Sequence, residues 1–345
     1  MRMTLVTDAW RPQVNGVVTT LEHMVASLHN GGHQVQVIEP SQFSCWRLPG
    51  YREIGVAVTP WRLPAILEQS APDTVHIATE GPLGIAARNF CKKRGWSFTT
   101  SLHTKFPEYV HARTGLPTDF GYRFLRWFHG PASTTLVTTQ SMVSHLQAKG
   151  LQSLKEWGRG VDCDAFAPQE GCKTRERARP KLLYVGRVAI EKNIEAFLQL
   201  PIDADKIVVG DGPMRQQLQL SYPHVQWVGY KRGAELASFY ADADVFVFPS
   251  LTDTFGIVML EAMACGTPVA AYPVTGPIDV VAPGVNGALD DDLGAAVNAA
   301  LQVDRQACRD FALQRSWQAV ADIFQKSLVP ASSGQQKPEP TKQAS

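Results

Sequence analysis

The chain has 345 residues, is 44% hydrophobic and carries a formal net charge of +1, with 33 Lys and Arg against 32 Asp and Glu. That length and apolar content suit a soluble protein with two cores, and the even charge balance gives no global reason to expect nucleic acid as a partner. The 6 cysteines include no C-x-x-C pair and read as reduced cytosolic thiols, neither a zinc site nor a disulfide framework.

The N-terminal "MRMTLVTDAW" lacks the apolar core of a signal peptide, and no later run reaches the ~18 residues of a spanning helix, so a cytoplasmic protein is expected. "MTLVTD" reads as a strand, "VVTTLEHMVASLHNGG" as a helix stopped at Gly31-Gly32, and "QVQVIEP" as the next strand, a βαβ unit. "TVHIA", "SFTTSLH" and "TTLVTTQ" continue the strands to about residue 140. Residues 164–181 are polar and aperiodic, the pattern of an interdomain linker. The series restarts with "KLLYVG", "KIVVGDG", "VQWVG", "DVFVFPS" and "PVAAY", and "SWQAVADIFQKSL" is a terminal amphipathic helix. Two successive βα arrays predict two doubly wound parallel sheets facing a cleft, an α/β protein with Rossmann-like domains at 1–165 and 166–315. From residue 331 the chain has no apolar side chain larger than proline, and is expected to be disordered.

Ligands of such sheets bind beyond the carboxyl ends of the strands, so the residues just after each strand are the informative ones. After the first strand, Asn15-Gly16 opens a helix, either a phosphate approach or an ordinary turn. There is no G-x-G-x-x-G and no G-x-x-x-x-G-K-[ST]. After "KLLYVG", Arg187 and Lys192 bracket a loop from which both cations could grip one diphosphate, unless Glu191 neutralises them. Gly210 belongs to the turn after "KIVVG", and Tyr230, after "VQWVG", could carry a base. After "DVFVFPS" comes "LTDTFGIVMLEAMACGTPVA". It places Asp253 in a loop and Glu261 inside a helix, roughly Ile257 to Cys265, that is apolar all round. A carboxylate there is costly unless something hydrogen-bonds to it, which points to ligand hydroxyls or to a structural salt bridge.

The ordered set "GRVAIEKN", "GDGP" and "TDTFGIVMLEAMACGTPV" resembles the family-4 glycosyltransferases, retaining enzymes of the GT-B fold, over most of the chain. "LHTKFPEYV" and "WGRGVDCDAF" are similar to a subgroup of α-mannosyltransferases and sulfolipid synthases that act on lipid or glycan acceptors. The resemblance implies a nucleotide-diphospho-sugar donor, mannose from GDP favoured and a UDP-sugar as the other option, held by the C-terminal domain. Arg187 and Lys192 match the pair on the diphosphate. Asp253 and Glu261 match the two acids of the E-x7-E motif, contacting the transferred sugar and the ribose, with Asp253 one methylene short. Thr254, Phe255 and Gly256 lie with them on the donor side, and Gly16 matches a loop glycine beside the diphosphate, with Asn15 in place of a second glycine. His103 matches a histidine lining the sugar and acceptor site, with Lys105 beside it. The helix 316–330 is expected to cross back onto the first domain.

Asp242 and Asp244 spell D-x-D but precede their strand, so no metal and no cofactor is expected. Residues 105–129 hold seven aromatics with Lys105, Arg113, Arg123 and Arg126. They read either as a segment lying on anionic membrane or as a helix face packed into the domain. A 2-epimerase on the same fold and a non-catalytic nucleotide-sugar-binding protein are the competing functions. An epimerase needs a base and no acceptor; a binding protein turns nothing over.

Overall fold

The computed structural model describes residues 1–48, 51–169 and 178–331. Part of the expected linker, including Cys172, and nearly all of the expected disordered tail lie outside these residues, as does the side chain of Arg113. In the first half the strands are β1 (Arg2–Val6), β2 (Gln34–Ile38), β3 (Cys45–Leu48), β4 (Tyr51–Ala57), β5 (Thr74–Ile77), β6 (Thr99–Leu102), β7 (Thr134–Val137) and β8 (Leu154–Glu156). In the second they are β9 (Lys181–Val185), β10 (Asp205–Val209), β11 (Gln226–Gly229), β12 (Val245–Phe248), β13 (Val269–Ala271) and β14 (Gly287–Leu289).

Two six-stranded sheets result, in the orders β2-β1-β5-β6-β7-β8 and β11-β10-β9-β12-β13-β14. Every pairing in them is parallel. Helices cover both faces, which is why β5, β6 and β12 are buried at every position and read as unbroken apolar or Thr-rich runs. The strand order reverses between β1 and β5 in one sheet and between β9 and β12 in the other. Those two reversals are the crevices where a doubly wound sheet takes a ligand. The antiparallel pair β3–β4 stands apart from both sheets.

The terminal helix Trp317–Gln325, capped by Ser316 Oγ, lies on the helix Gly16–Asn30, with the Trp317 ring stacked on His23 at 4.6 Å. Val320, Ala321 and Phe324 share a core with Met3, Leu5 and Leu21, so chain from the end of the sequence completes the first domain. A Cβ on Gly160 would lie 2.6 Å from the Trp317 nitrogen, so only glycine allows the two crossing segments to meet.

Candidate functional site

The loop after β9 is drawn against the loop after β12 by three contacts. Thr252 Oγ1 donates to the Glu191 carbonyl (3.1 Å), Asn193 Nδ2 donates to the Pro249 carbonyl (3.0 Å), and Lys192 Nζ donates to Asp253 Oδ1 (2.6 Å). Tyr184, at the end of β9, donates its hydroxyl to the Arg187 carbonyl at 2.8 Å and sets the start of the loop. Lys192 therefore pairs with Asp253, 61 residues away, within one crevice. Burial would depress the Lys192 pKa, but Asp253 and the Tyr109 hydroxyl outweigh it, so the ammonium is held charged. The pair uses only one carboxylate oxygen. Asp253 Oδ2 and, three residues earlier, Ser250 Oγ are buried with no partner among the described residues. Buried polar atoms are nearly always satisfied, so a missing acceptor and a missing donor in one loop need an explanation.

Past the left-handed Gly256 (φ +81°) the chain enters the helix Ile257–Ala264. Glu261 lies about 6 Å along its axis from Ile257, four residues at ~1.5 Å each. Its partner is Tyr240, whose hydroxyl donates to Oε2 at 2.9 Å from the neighbouring helix Gly233–Asp242. It forms no salt bridge among the described residues. Burial pushes the Glu261 pKa up to about 7, against the lowering effect of the Tyr240 hydrogen bond. One neutral hydroxyl does not offset the loss of water around a carboxylate. Thr254 and Phe255 face elsewhere: the Phe255 ring packs into the domain core, and Thr254 Oγ1 donates to the His103 carbonyl of the other domain at 2.6 Å.

That last contact belongs to a seam between the domains. Thr138 Oγ1, just past β7, donates to the Thr254 carbonyl (2.9 Å), and the Ser141 amide donates to Asp279 Oδ1 (3.0 Å). Tyr109, on the helix Phe106–Thr114, brings its hydroxyl to Lys192 across the same seam. A Cβ on Gly16 would touch Ile257 at 3.7 Å, so the loop after β1 reaches the start of the Glu261 helix. Asn15 is the N-cap of the Gly16 helix, its Oδ1 accepting from the Val17 and Val18 amides at 3.0 Å each. Two of the four amides that a helix terminus could offer a phosphate are thus already taken.

In the first domain His103, just past β6, is held at both ring nitrogens. Arg159 Nη2 lies 2.8 Å from Nδ1 and Ser101 Oγ 2.8 Å from Nε2. A guanidinium only donates, so Nδ1 accepts and the proton sits on Nε2. Burial, then Arg159, His76 and His129, hold the imidazole pKa well below its ordinary value. Arg159 is itself 5% exposed, and burial pushes its pKa down to about 9, leaving it charged at neutral pH. Lys105 is buried near Glu108 and Asp279, its pKa lowered chiefly by burial.

The remaining candidates separate by geometry. A Cβ on Gly210 (φ +144°) would sit 1.9 Å from the Gly186 carbonyl oxygen, a steric demand for glycine that exists without any ligand. Tyr230 is 46% exposed beyond β11, its hydroxyl accepting from Arg232 Nε at 2.6 Å. Asp242 and Asp244 bind Lys181 at the opposite, amino end of the sheet, by Nζ (2.6 Å) and by the amide (2.7 Å). The segment 105–129 divides. Tyr122, Leu125 and Phe128 of the helix Thr118–His129 are buried, while Phe106, Phe120 and Trp127 are exposed, as is Arg123. No helix among the described residues is long and apolar enough to cross a membrane.

This geometry can be set against known proteins. Residues 14–165 match the model described as Glycosyltransferase Family 4, and residues 179–303 the model described as Glycosyl transferases group 1. A GDP-mannose-dependent alpha-mannosyltransferase of Mycolicibacterium smegmatis is 31% identical over 317 residues, 84% of each chain. The chain belongs to glycosyltransferase family 4. The solved structures agree in fold. A sucrose-phosphate synthase of Thermosynechococcus elongatus superposes with a TM-score of 0.78 at 19% identity, covering 94% of this chain and 97% of its own. The Anabaena protein HepE, solved with UDP-glucose, gives 0.70 at 16% identity, covering 95% of this glycosyltransferase and 99% of itself. The two parallel-sheet domains are those of the GT-B fold.

Three residues that contact the sequence-predicted candidates were not singled out from the sequence. Tyr109 and Arg159 lie inside the phrases "LHTKFPEYV" and "WGRGVDCDAF", and Tyr240 carries no motif at all. Arg159 lies just past the carboxyl end of β8, a three-residue strand that the sequence pattern does not show.

Proposed function

We propose that this glycosyltransferase moves a hexose, mannose from GDP-mannose in the first instance, onto a lipid or glycan acceptor with retention of configuration and without a metal cofactor. The observation that carries the reading is the pair of unsatisfied buried atoms at Ser250 and Asp253 beside Lys192. A phosphate oxygen can accept from the serine hydroxyl and a sugar hydroxyl can donate to the carboxylate, so a diphospho-sugar supplies both missing partners. Arg187 and Lys192 then face the diphosphate, the ribose hydroxyls add donors to Glu261, and Tyr230 receives the base. Guanine is favoured because the mannosyltransferase relative, named for GDP-mannose, aligns over most of both chains.

In the reaction the C1–O bond to the diphosphate breaks and the acceptor oxygen bonds to C1 from the same face. The departing diphosphate takes the acceptor's proton. Charge grows on the leaving group, where a fixed cation is worth about 3 kcal/mol of barrier. Asp253 and Glu261 orient hydroxyls; they do not work as the nucleophile and acid/base pair of a glycosidase. With both ring nitrogens engaged, His103 is not available as the base that an epimerase would need. The exposed Phe106, Phe120 and Trp127 beside Arg123 suit an acceptor delivered from an anionic membrane surface. The test is release of GDP from GDP-mannose with and without vesicles carrying a glycosylated lipid. Release only with acceptor is the expected result. Formation of a C2-epimeric nucleotide-sugar without any acceptor would favour the epimerase, and binding without turnover under every condition a non-catalytic protein.

A further inference from the structure

Arg159 is an anomaly in charge accounting. It is buried, yet among the described residues it pairs with no carboxylate. Its contacts are the Gly158 carbonyl (2.6 Å from Nη1), His103 Nδ1 (2.8 Å from Nη2) and the face of the Trp157 ring, 4.7 Å from the guanidinium carbon. A buried charge without a counter-ion is expensive, and a methionine or leucine would fill the space at less cost. What the guanidinium supplies that an apolar side chain cannot is a donor fixed toward one imidazole nitrogen.

The consequence runs through a chain of contacts whose direction chemistry sets. Arg159 donates to His103 Nδ1, so Nε2–H of His103 donates to Ser101 Oγ. The Ser101 hydroxyl proton is then left for His76 Nε2 (3.1 Å) or the Ala78 carbonyl (3.3 Å), and His76 Nδ1 lies 2.8 Å from Thr99 Oγ1. The groups facing the His103 ring are thus Arg159 from the segment after β8, His76 from β5 and His129 from the helix Thr118–His129. Trp157 closes the ring edge-on at 5.8 Å. None of these is an anion that would favour an imidazolium; Glu80 reaches His129, at 3.2 Å. The His103 backbone meanwhile holds the donor loop through Thr254.

We propose that Arg159 is a positioning residue that locks His103 as the uncharged Nε2–H tautomer, so that the end of β6 presents the donor loop with a fixed carbonyl and no titrating base. This rests on the reading that His103 borders the transfer site, and the experiment separates the two. Long-range proton–nitrogen correlation on the full chain with nitrogen-15 histidine, assigned by His103→Gln, reads the tautomer directly. The wild-type Nδ1 should show the position of an unprotonated nitrogen and stay there between about pH 5 and 8. Arg159→Met should move that signal, and Arg159→Lys, which keeps a charged donor, should restore it. In kinetics Arg159→Met should lower kcat by about tenfold to a hundredfold, leave the donor KM within about threefold, and be partly rescued in Arg159→Lys. A wild-type His103 protonated on Nδ1, or an Nδ1 signal indifferent to Arg159→Met, overturns the lock, and the wild-type spectrum decides this even if a variant folds poorly. A moved signal with unchanged kcat overturns the positioning role. Unchanged kcat in His103→Gln itself shows instead that the site reading is at fault.

Discussion

Replacing Glu261 by Gln should flatten part of the pH dependence of stability, and the magnitude follows from the structure. The Glu261 carboxyl rises from an ordinary 4.5 to about 7 in the folded chain, because burial outweighs the Tyr240 hydrogen bond. A raised acid pKa means the unfolded chain gives up its proton first. The stabilisation is therefore complete below about pH 4.5, is lost as pH rises toward 7, and changes no further above it. At about 1.36 kcal/mol per unit the loss is up to about 3 kcal/mol, and smaller to the extent that solvent reaches the partly buried side chain. Gln keeps the shape and can accept from Tyr240 but cannot ionise. Urea unfolding at a series of pH values, followed by circular dichroism, should show the stability difference between Glu261→Gln and wild type growing in favour of the variant from pH 5 to 8. Comparing the two chains at each pH cancels every other titration. A difference that stays constant with pH would refute the reasoning. Donor binding adds a second reading: hydroxyls that donate to the ionised form should make affinity rise with pH up to about 7 in wild type and remain level in the variant.

Other expectations follow from single contacts. Lys192→Met removes the partner of Asp253 and, on the proposed reading, a cation from the leaving group, and should lower kcat/KM for the donor by about a hundredfold or more in steady-state assays. Thr254→Val, nearly the same shape, loses the hydroxyl that bridges to the His103 carbonyl; it should cost about 1 kcal/mol or more in unfolding and lower kcat more than donor affinity. Gly210→Ala forces a methyl onto the Gly186 carbonyl oxygen and should destabilise the second domain by at least about 3 kcal/mol, with or without nucleotide in the melt.

The central strands were legible in the sequence because burial on both faces leaves unbroken runs such as "KLLYV" and "VFVF". The edge strands Leu154–Glu156 and Gly287–Leu289 were not, since three residues with one or two polar or small side chains carry no periodicity. Missing β8 had a price at the site. The rule that flags residues beyond a strand's carboxyl end could not flag Arg159, because the strand before it was unseen. The antiparallel strands Cys45–Leu48 and Tyr51–Ala57 escaped for a different reason, being outside both sheets and interrupted by charged residues. Position along the chain identified Arg187, Lys192, Asp253 and Glu261 as candidates, but contacts made in three dimensions supply their chemistry. Nothing local says that Lys192 will reach Asp253 or that Tyr109 will meet it from the other domain.

The most direct test of the site as a whole is equilibrium binding of GDP and of GDP-mannose to wild type, Asp253→Asn and Glu261→Gln. If Glu261 meets the ribose, its variant should weaken both ligands alike; if Asp253 Oδ2 meets the sugar, Asp253→Asn should weaken GDP-mannose and leave GDP unchanged. Both variants binding both ligands as tightly as wild type would contradict the assignment of this crevice to the donor.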